Sequence, residues 1–82
     1  MDKSIHSKNY RMMIASLREE REKRGITQEN LANMLGVKQN FISKIETYER
    51  RLDLIELRTI CSKIGLPFVS FVEKIEKNIE ND

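Results

Sequence analysis

Residues 28–46 read QENLANMLGVKQNFISKIE, and two helical periods meet in them at a glycine. Leu31 and Leu35 share one helix face, with Thr27 before them as an N-cap and Gly36 after them as a stop. Val37, Ile42 and Ile45 then make the apolar side of a second short helix, with Phe41 toward the edge of that stripe. Lys38, Gln39, Asn40 and Lys44 fall between them. A helix this short would ordinarily spend its outer face on charge for solubility, whereas this one offers carboxamides among lysines, with donors and acceptors side by side.

The run Leu31, Ala32, Leu35, Gly36, Val37, Ile42 and Ile45, counted from Gln28, has the spacing of two helices that cross steeply over a tight turn, a helix-turn-helix. Ala32 has to be small because the next helix crosses above it. Gly36 supplies the left-handed conformation that other residues resist. Ile42 and Ile45 anchor the second helix from beneath, and Lys38, Gln39, Asn40 and Lys44 project from its N-terminal half. That is the surface such a motif presents to the major groove of double-stranded DNA.

The rest of the chain narrows the alternatives. Its 82 residues make one small domain, too small to enclose a substrate cavity as well as a core. No Ser/His/Asp, Cys/His or paired-carboxylate set suggests an enzyme. A single cysteine permits no internal disulfide, no Cys/His cluster has metal-ligand spacing, and nothing calls for a cofactor. No apolar run reaches the length of a membrane span, and MDKSIHSK lacks the hydrophobic stretch of a signal peptide, so a cytoplasmic location is expected. Residues 1–51 hold eleven Lys/Arg against seven Asp/Glu, net +4, and residues 52–82 hold four against six, net −2. An anionic partner would dock on the first part.

The periodicity predicts an all-α chain of five short helices. Tyr10, Met13, Ile14 and Leu17, continued by Arg21, mark a first helix from about residue 9 to Gly25. Leu54, Leu57, Cys61 and Ile64 mark a fourth, from about Asp53 to Gly65. Pro67 suits a first-turn position, and Phe68, Phe71, Val72, Ile75 and Ile79 define a fifth over about 67–79. Residues 1–8 are expected to form a mobile polar arm, with His6 exposed on it, and residues 9–80 a single domain. Cys61, Met12, Met13 and Met34 read as packing residues.

Side-chain geometry assigns the readout. Gln39 and Asn40 carry carboxamides that match adenine N6 and N7, Lys44 can donate to guanine O6 and N7, and Phe41 can touch a thymine methyl or tuck into the core. Gln28, Lys38, Arg50 and Arg51 are placed for phosphates, although the two arginines could instead pair with Glu49 or Asp53.

The stretch ITQENLANMLGVKQNFISKIE resembles the helix-turn-helix of the Xre, lambda repressor and Cro family of bacterial and phage regulators, and the likeness extends from about Met13 to Phe71. The resemblance implies a five-helix domain and an ion pair between Arg21 and Glu46. It also implies a place for Gln28 against a phosphate and near the first recognition residue. Two residues depart from the family pattern: Tyr48 stands where a helix-ending glycine is usual, and Glu20 where leucine is common, which predicts one weaker core contact. The function implied is a sequence-specific transcriptional regulator. An antitoxin or restriction-modification controller shares the fold, and a protein-interaction module without DNA binding is the reading from another class.

The fifth helix is expected to make a homodimer. Its apolar stripe exceeds what a four-helix core can cover, so Phe68 and Phe71 would anchor it internally and leave Val72, Ile75 and Ile79 for a two-fold contact. Alternatively, the helix folds back on Tyr10, Met13 and Ile14 of its own chain.

Overall fold

The computed structural model describes residues 7–80, which form five α-helices: α1 (Lys8–Lys23), α2 (Gln28–Leu35), α3 (Gln39–Glu46), α4 (Leu54–Ile64) and α5 (Phe68–Asn78). No strand occurs among the described residues. The all-α, five-helix reading therefore holds. Residues 1–6, with His6, lie outside the described residues; of the eight residues expected in a polar arm, Ser7 caps α1 and Lys8 begins it. The Ser7 hydroxyl accepts from the Tyr10 backbone N–H at 3.2 Å.

Local chemistry sets most boundaries. Thr27 and Asp53 each cap a helix through a reciprocal box: Asn30 answers Thr27, and Glu56 answers Asp53. Gly36 closes α2 at φ 70°, where a Cβ would be strained, and lets the chain turn into α3 within three residues. Pro67 sits one residue earlier than expected, at the N-cap of α5, and Ile79 lies past the end of that helix as its C-cap.

Ile14 and Leu17 of α1, Leu31 and Ala32 of α2, Ile42 and Ile45 of α3, and Phe71 of α5 are buried together against α4. The stripe of α4 is Leu57, Ile60, Cys61 and Ile64. Leu54, expected in that stripe, is 64% exposed because the first turn of α4 projects past the core. Met34 is likewise exposed on α2, whereas Met13 packs against the core. Two loop residues complete the interior, Leu52 and Leu66, and both lack the helical repeat that would reveal them. The Leu52 N–H donates to the Tyr10 hydroxyl at 2.9 Å, which ties the loop after α3 to α1.

The α5 helix folds back on α1. Phe68 and Ile75 pack against the core, so Ile75 is partly spent within its own chain, and Ile79 is half-buried. Past its end, the Glu80 backbone both donates to and accepts from the Asn9 side chain, at 3.0 and 2.8 Å. Of the three residues expected at a two-fold contact, only Val72 is exposed. Other large exposed apolar side chains are Val69 beside it and Leu54 and Ile55 at the start of α4.

Glu20 replaces the expected weak core contact with a polar one. Its buried carboxylate accepts from Lys74 of α5 at 2.9 Å and from Arg24 at 2.7 Å, with Lys23 at 3.6 Å. No buried side-chain polar atom among the described residues lacks a hydrogen bond.

Candidate nucleic-acid interface

The face proposed for readout begins with what holds it still. Ile42 and Ile45 are buried beneath α3, and Glu46 in its last turn is buried as well. The Arg21 guanidinium grips that carboxylate in a fork, Nε to Oε2 at 2.7 Å and Nη2 to Oε1 at 2.8 Å, and its Nη1 donates to the Ile26 carbonyl at 2.6 Å. Both side chains are 7% exposed. One charged pair thus joins α1, the loop before α2 and the end of α3, and every bond in it is charge-assisted.

On the opposite side of α3, Gln39, Asn40 and Lys44 are exposed. No hydrogen bond or ion pair within the described residues holds the Asn40, Lys44 or Lys38 side chains. Lys38 is the N-cap and makes no capping bond, and the first turn of α3 contains no acid. The helices α1, α2 and α4, by contrast, each carry a side-chain cap. The Phe41 N–H turns back to the Lys38 carbonyl at 3.0 Å, while the N–H groups ahead of it have no carbonyl one turn earlier to meet, so this end of α3 offers backbone donors and a lysine charge to an anion.

Gln28 lies half-buried between the ion pair and this face. Its Nε2 donates to Glu46 Oε1 at 2.8 Å, and its Oε1 accepts from Gln39 Nε2 at 3.4 Å.

The arginines after α3 are less available than expected. Arg50 forks onto Glu56 at 2.8 and 3.2 Å, not onto Glu49 or Asp53, and the Glu56 carboxylate raises its pKa. The same guanidinium lies 4.3 Å from the centroid of the Phe41 ring, and Phe41 is itself half-buried against the core. Phe41 and Arg50 therefore hold each other, with one ring face covered: of the two places open to Phe41 it takes the core, and Arg50 takes an internal acid, though Glu56 and not Glu49 or Asp53. Arg51 lies 5.2 Å from the Tyr10 ring centroid. The role of Glu56 went unread in the sequence: its capping pattern with Asp53 is visible there, its bond to Arg50 is not.

Tyr48 takes the conformation of the glycine it replaces. Its φ is 64°, the one positive φ outside glycine among the described residues, and Arg11 stacks 4.5 Å from its ring centroid. The turn after α3 is thus kept without a glycine, at a local backbone cost offset by packing.

No group of three or more His, Cys, Asp and Glu side chains among the described residues could hold a metal. Burial pushes the Cys61 thiol up to about 11, which leaves it protonated and inert. No helix among the described residues is long and apolar enough to cross a membrane.

Residues 17–71 match the helix-turn-helix family. No curated protein matches the sequence significantly. Among solved structures, the chain is similar to an XRE-family like protein from Pseudomonas syringae pv. tomato str. DC3000, at 41% identity and TM-score 0.85, with 93% of each chain covered. It is also similar to the restriction-modification controller protein C.Esp1396I, at 27% identity and TM-score 0.80, covering 94% of this chain and 100% of that one. A point variant of the same controller matches at 30% identity and TM-score 0.78, covering 93% and 98%. With the motif, its anchoring and these likenesses together, the chain belongs to the Xre-like helix-turn-helix family of DNA-binding regulators.

Proposed function

We propose that this protein is a sequence-specific transcriptional regulator that binds a two-fold symmetric operator as a homodimer. The observation that carries the reading is α3: its underside is locked by Ile42, Ile45 and Glu46, while among the described residues Asn40 and Lys44 stand exposed without an internal partner and Gln39 is held only by Gln28. Gln39 and Asn40 would read adenine, and Lys44 guanine. Lys38, Gln28 and the open first turn of α3 would sit against phosphates, joined by whichever of Arg50 and Arg51 turns from its internal partner. Phe41 serves chiefly to seat Arg50. Repression is the simplest consequence, since a protein seated in the groove excludes others from the same duplex.

The two-fold contact would use apolar side chains that the single chain leaves exposed. These are Val72 with the outer parts of Ile75 and Ile79 on α5, and Leu54 and Ile55 on α4. Such a contact would space two α3 helices by about one DNA turn, roughly 34 Å. The likeness to a restriction-modification controller favours one special case, the control of a restriction-modification system.

Selection of bound fragments from random duplex DNA tests the reading. Enrichment of a palindrome is expected. Retention of random sequence without enrichment, or no binding at low salt, overturns it.

A further inference from the structure

The Arg21–Glu46 ion pair sits beneath the readout face, and the hydrogen bonds between the two run in one direction only. We infer that Glu46 is a positioning residue for base recognition: its buried charge sets which way the carboxamides of Gln28 and Gln39 point. The inference rests on the DNA-binding reading above and deepens it.

A carboxylate can only accept hydrogen bonds. Glu46 already takes two from Arg21, and it takes a third from Gln28 Nε2 at 2.8 Å. The NH₂ end of Gln28 must therefore face inward, since turning the amide over would set its carbonyl oxygen against a buried negative charge. Its Oε1 is left facing Gln39, and a carbonyl likewise only accepts. Gln39 must then present its own NH₂ to Gln28, as it does at 3.4 Å. One Gln39 N–H is used there. The second N–H and the Gln39 carbonyl oxygen remain, one donor and one acceptor in fixed order, the pair that adenine N7 and N6 require. With no charge at Glu46, either amide could rotate at little cost, and the order of donor and acceptor at the groove would be lost.

The relay makes Gln28 more than a phosphate anchor. An anchor affects all sequences alike, whereas a group that orients Gln39 affects preference at the one base pair Gln39 reads.

The experiment compares the parent protein with Gln28→Ala, Glu46→Gln and Gln39→Ala, each checked for folding by circular dichroism. Affinities are measured by competition against the selected duplex and its single-base variants. All three substitutions are expected to reduce discrimination at the same base pair by about fivefold or more, with little change elsewhere. Adding Gln28→Ala to Gln39→Ala should produce no further loss of discrimination there. If Glu46→Gln does not fold, Gln28→Glu makes the same test, because it places a second carboxylate against Glu46 and drives the side chain out of the relay. The inference is overturned if Gln28→Ala weakens every duplex evenly, or if folded Glu46→Gln or Gln28→Glu keeps the parent profile. A parent protein that prefers no duplex overturns the DNA reading itself, a result distinct from a selective parent with unaltered variants.

Discussion

Lys74 of α5 places its ammonium 2.9 Å from the Glu20 carboxylate of α1, across 54 positions of sequence. With Arg24 on the other oxygen, this contact fastens the last helix to the first. Lys74 first, then Arg24, holds the Glu20 carboxyl down to about 2 from an ordinary 4.5. A folded-state pKa below the unfolded one contributes stability that is complete above pH 4.5 and is lost as the pH falls toward 2. Because Lys74 and Arg24 are partly exposed, the contribution is on the order of 1–2 kcal/mol. Glu20→Gln should lose that amount at pH 7 and show a flatter acid profile. Urea midpoints of both proteins from pH 2 to pH 6 check this, and parallel profiles would count against it.

Glu46→Ala strands the Arg21 guanidinium in a site where both side chains are 7% exposed. Removing one member of a buried pair costs roughly 3–5 kcal/mol, a large part of what a small domain has. A clear fall in melting temperature is expected by calorimetry, and a melt matching the parent would mean that solvent reaches the pair.

The left-handed Tyr48 separates strain from packing. Tyr48→Ala keeps the strain and loses the ring beneath Arg11, whereas Tyr48→Gly loses the ring and relieves the strain. Glycine should therefore be the more stable of the two by about 1 kcal/mol. Chemical denaturation ranks them, and alanine equal to or above glycine would contradict the account.

Lys38 and Lys44 should differ in kind when bound to DNA. Lys38→Ala is expected to weaken all duplexes evenly and to reduce the slope of log affinity against log salt by about 1. Lys44→Ala should cost about 1–3 kcal/mol on the preferred site and relax one position. Salt titrations with preferred and scrambled duplexes tell the two apart, and identical behaviour would sink the division between phosphate and base contacts.

The proposed dimer is tested with Val72→Asp and Ile55→Asp, both at positions exposed in the single chain, so that folding survives. Ile75→Asp would be ambiguous because Ile75 also packs on its own core. Each of the two is expected to shift the sedimentation equilibrium toward monomer by at least about tenfold and to weaken full-operator binding more than half-site binding. A parent protein monomeric at high micromolar concentration, or two variants as dimeric as the parent, would remove the two-fold contact.

Local pattern was enough for the helices and for the motif. Thr27, Asp53, Gly36 and Gly65 announce helix ends because capping and left-handed turns involve residues three or four apart, and Ala32, Ile42 and Ile45 announce the helix crossing for the same reason. Partners across helices could not be read this way. Glu20 looked like a lost leucine until α5 delivered Lys74 to it, and Arg50 looked like a phosphate ligand until Glu56 and the Phe41 ring were found beside it. The stripe of α5 looked free until Ile75 was found against the core, and Leu52 gave no sign of its bond to the Tyr10 hydroxyl. Periodicity tells which face of a helix is apolar, but not how much of that face a neighbour covers, nor which charge a long flexible side chain meets. Those depend on where the helix axes cross, and the crossings are decided by packing the whole core at once.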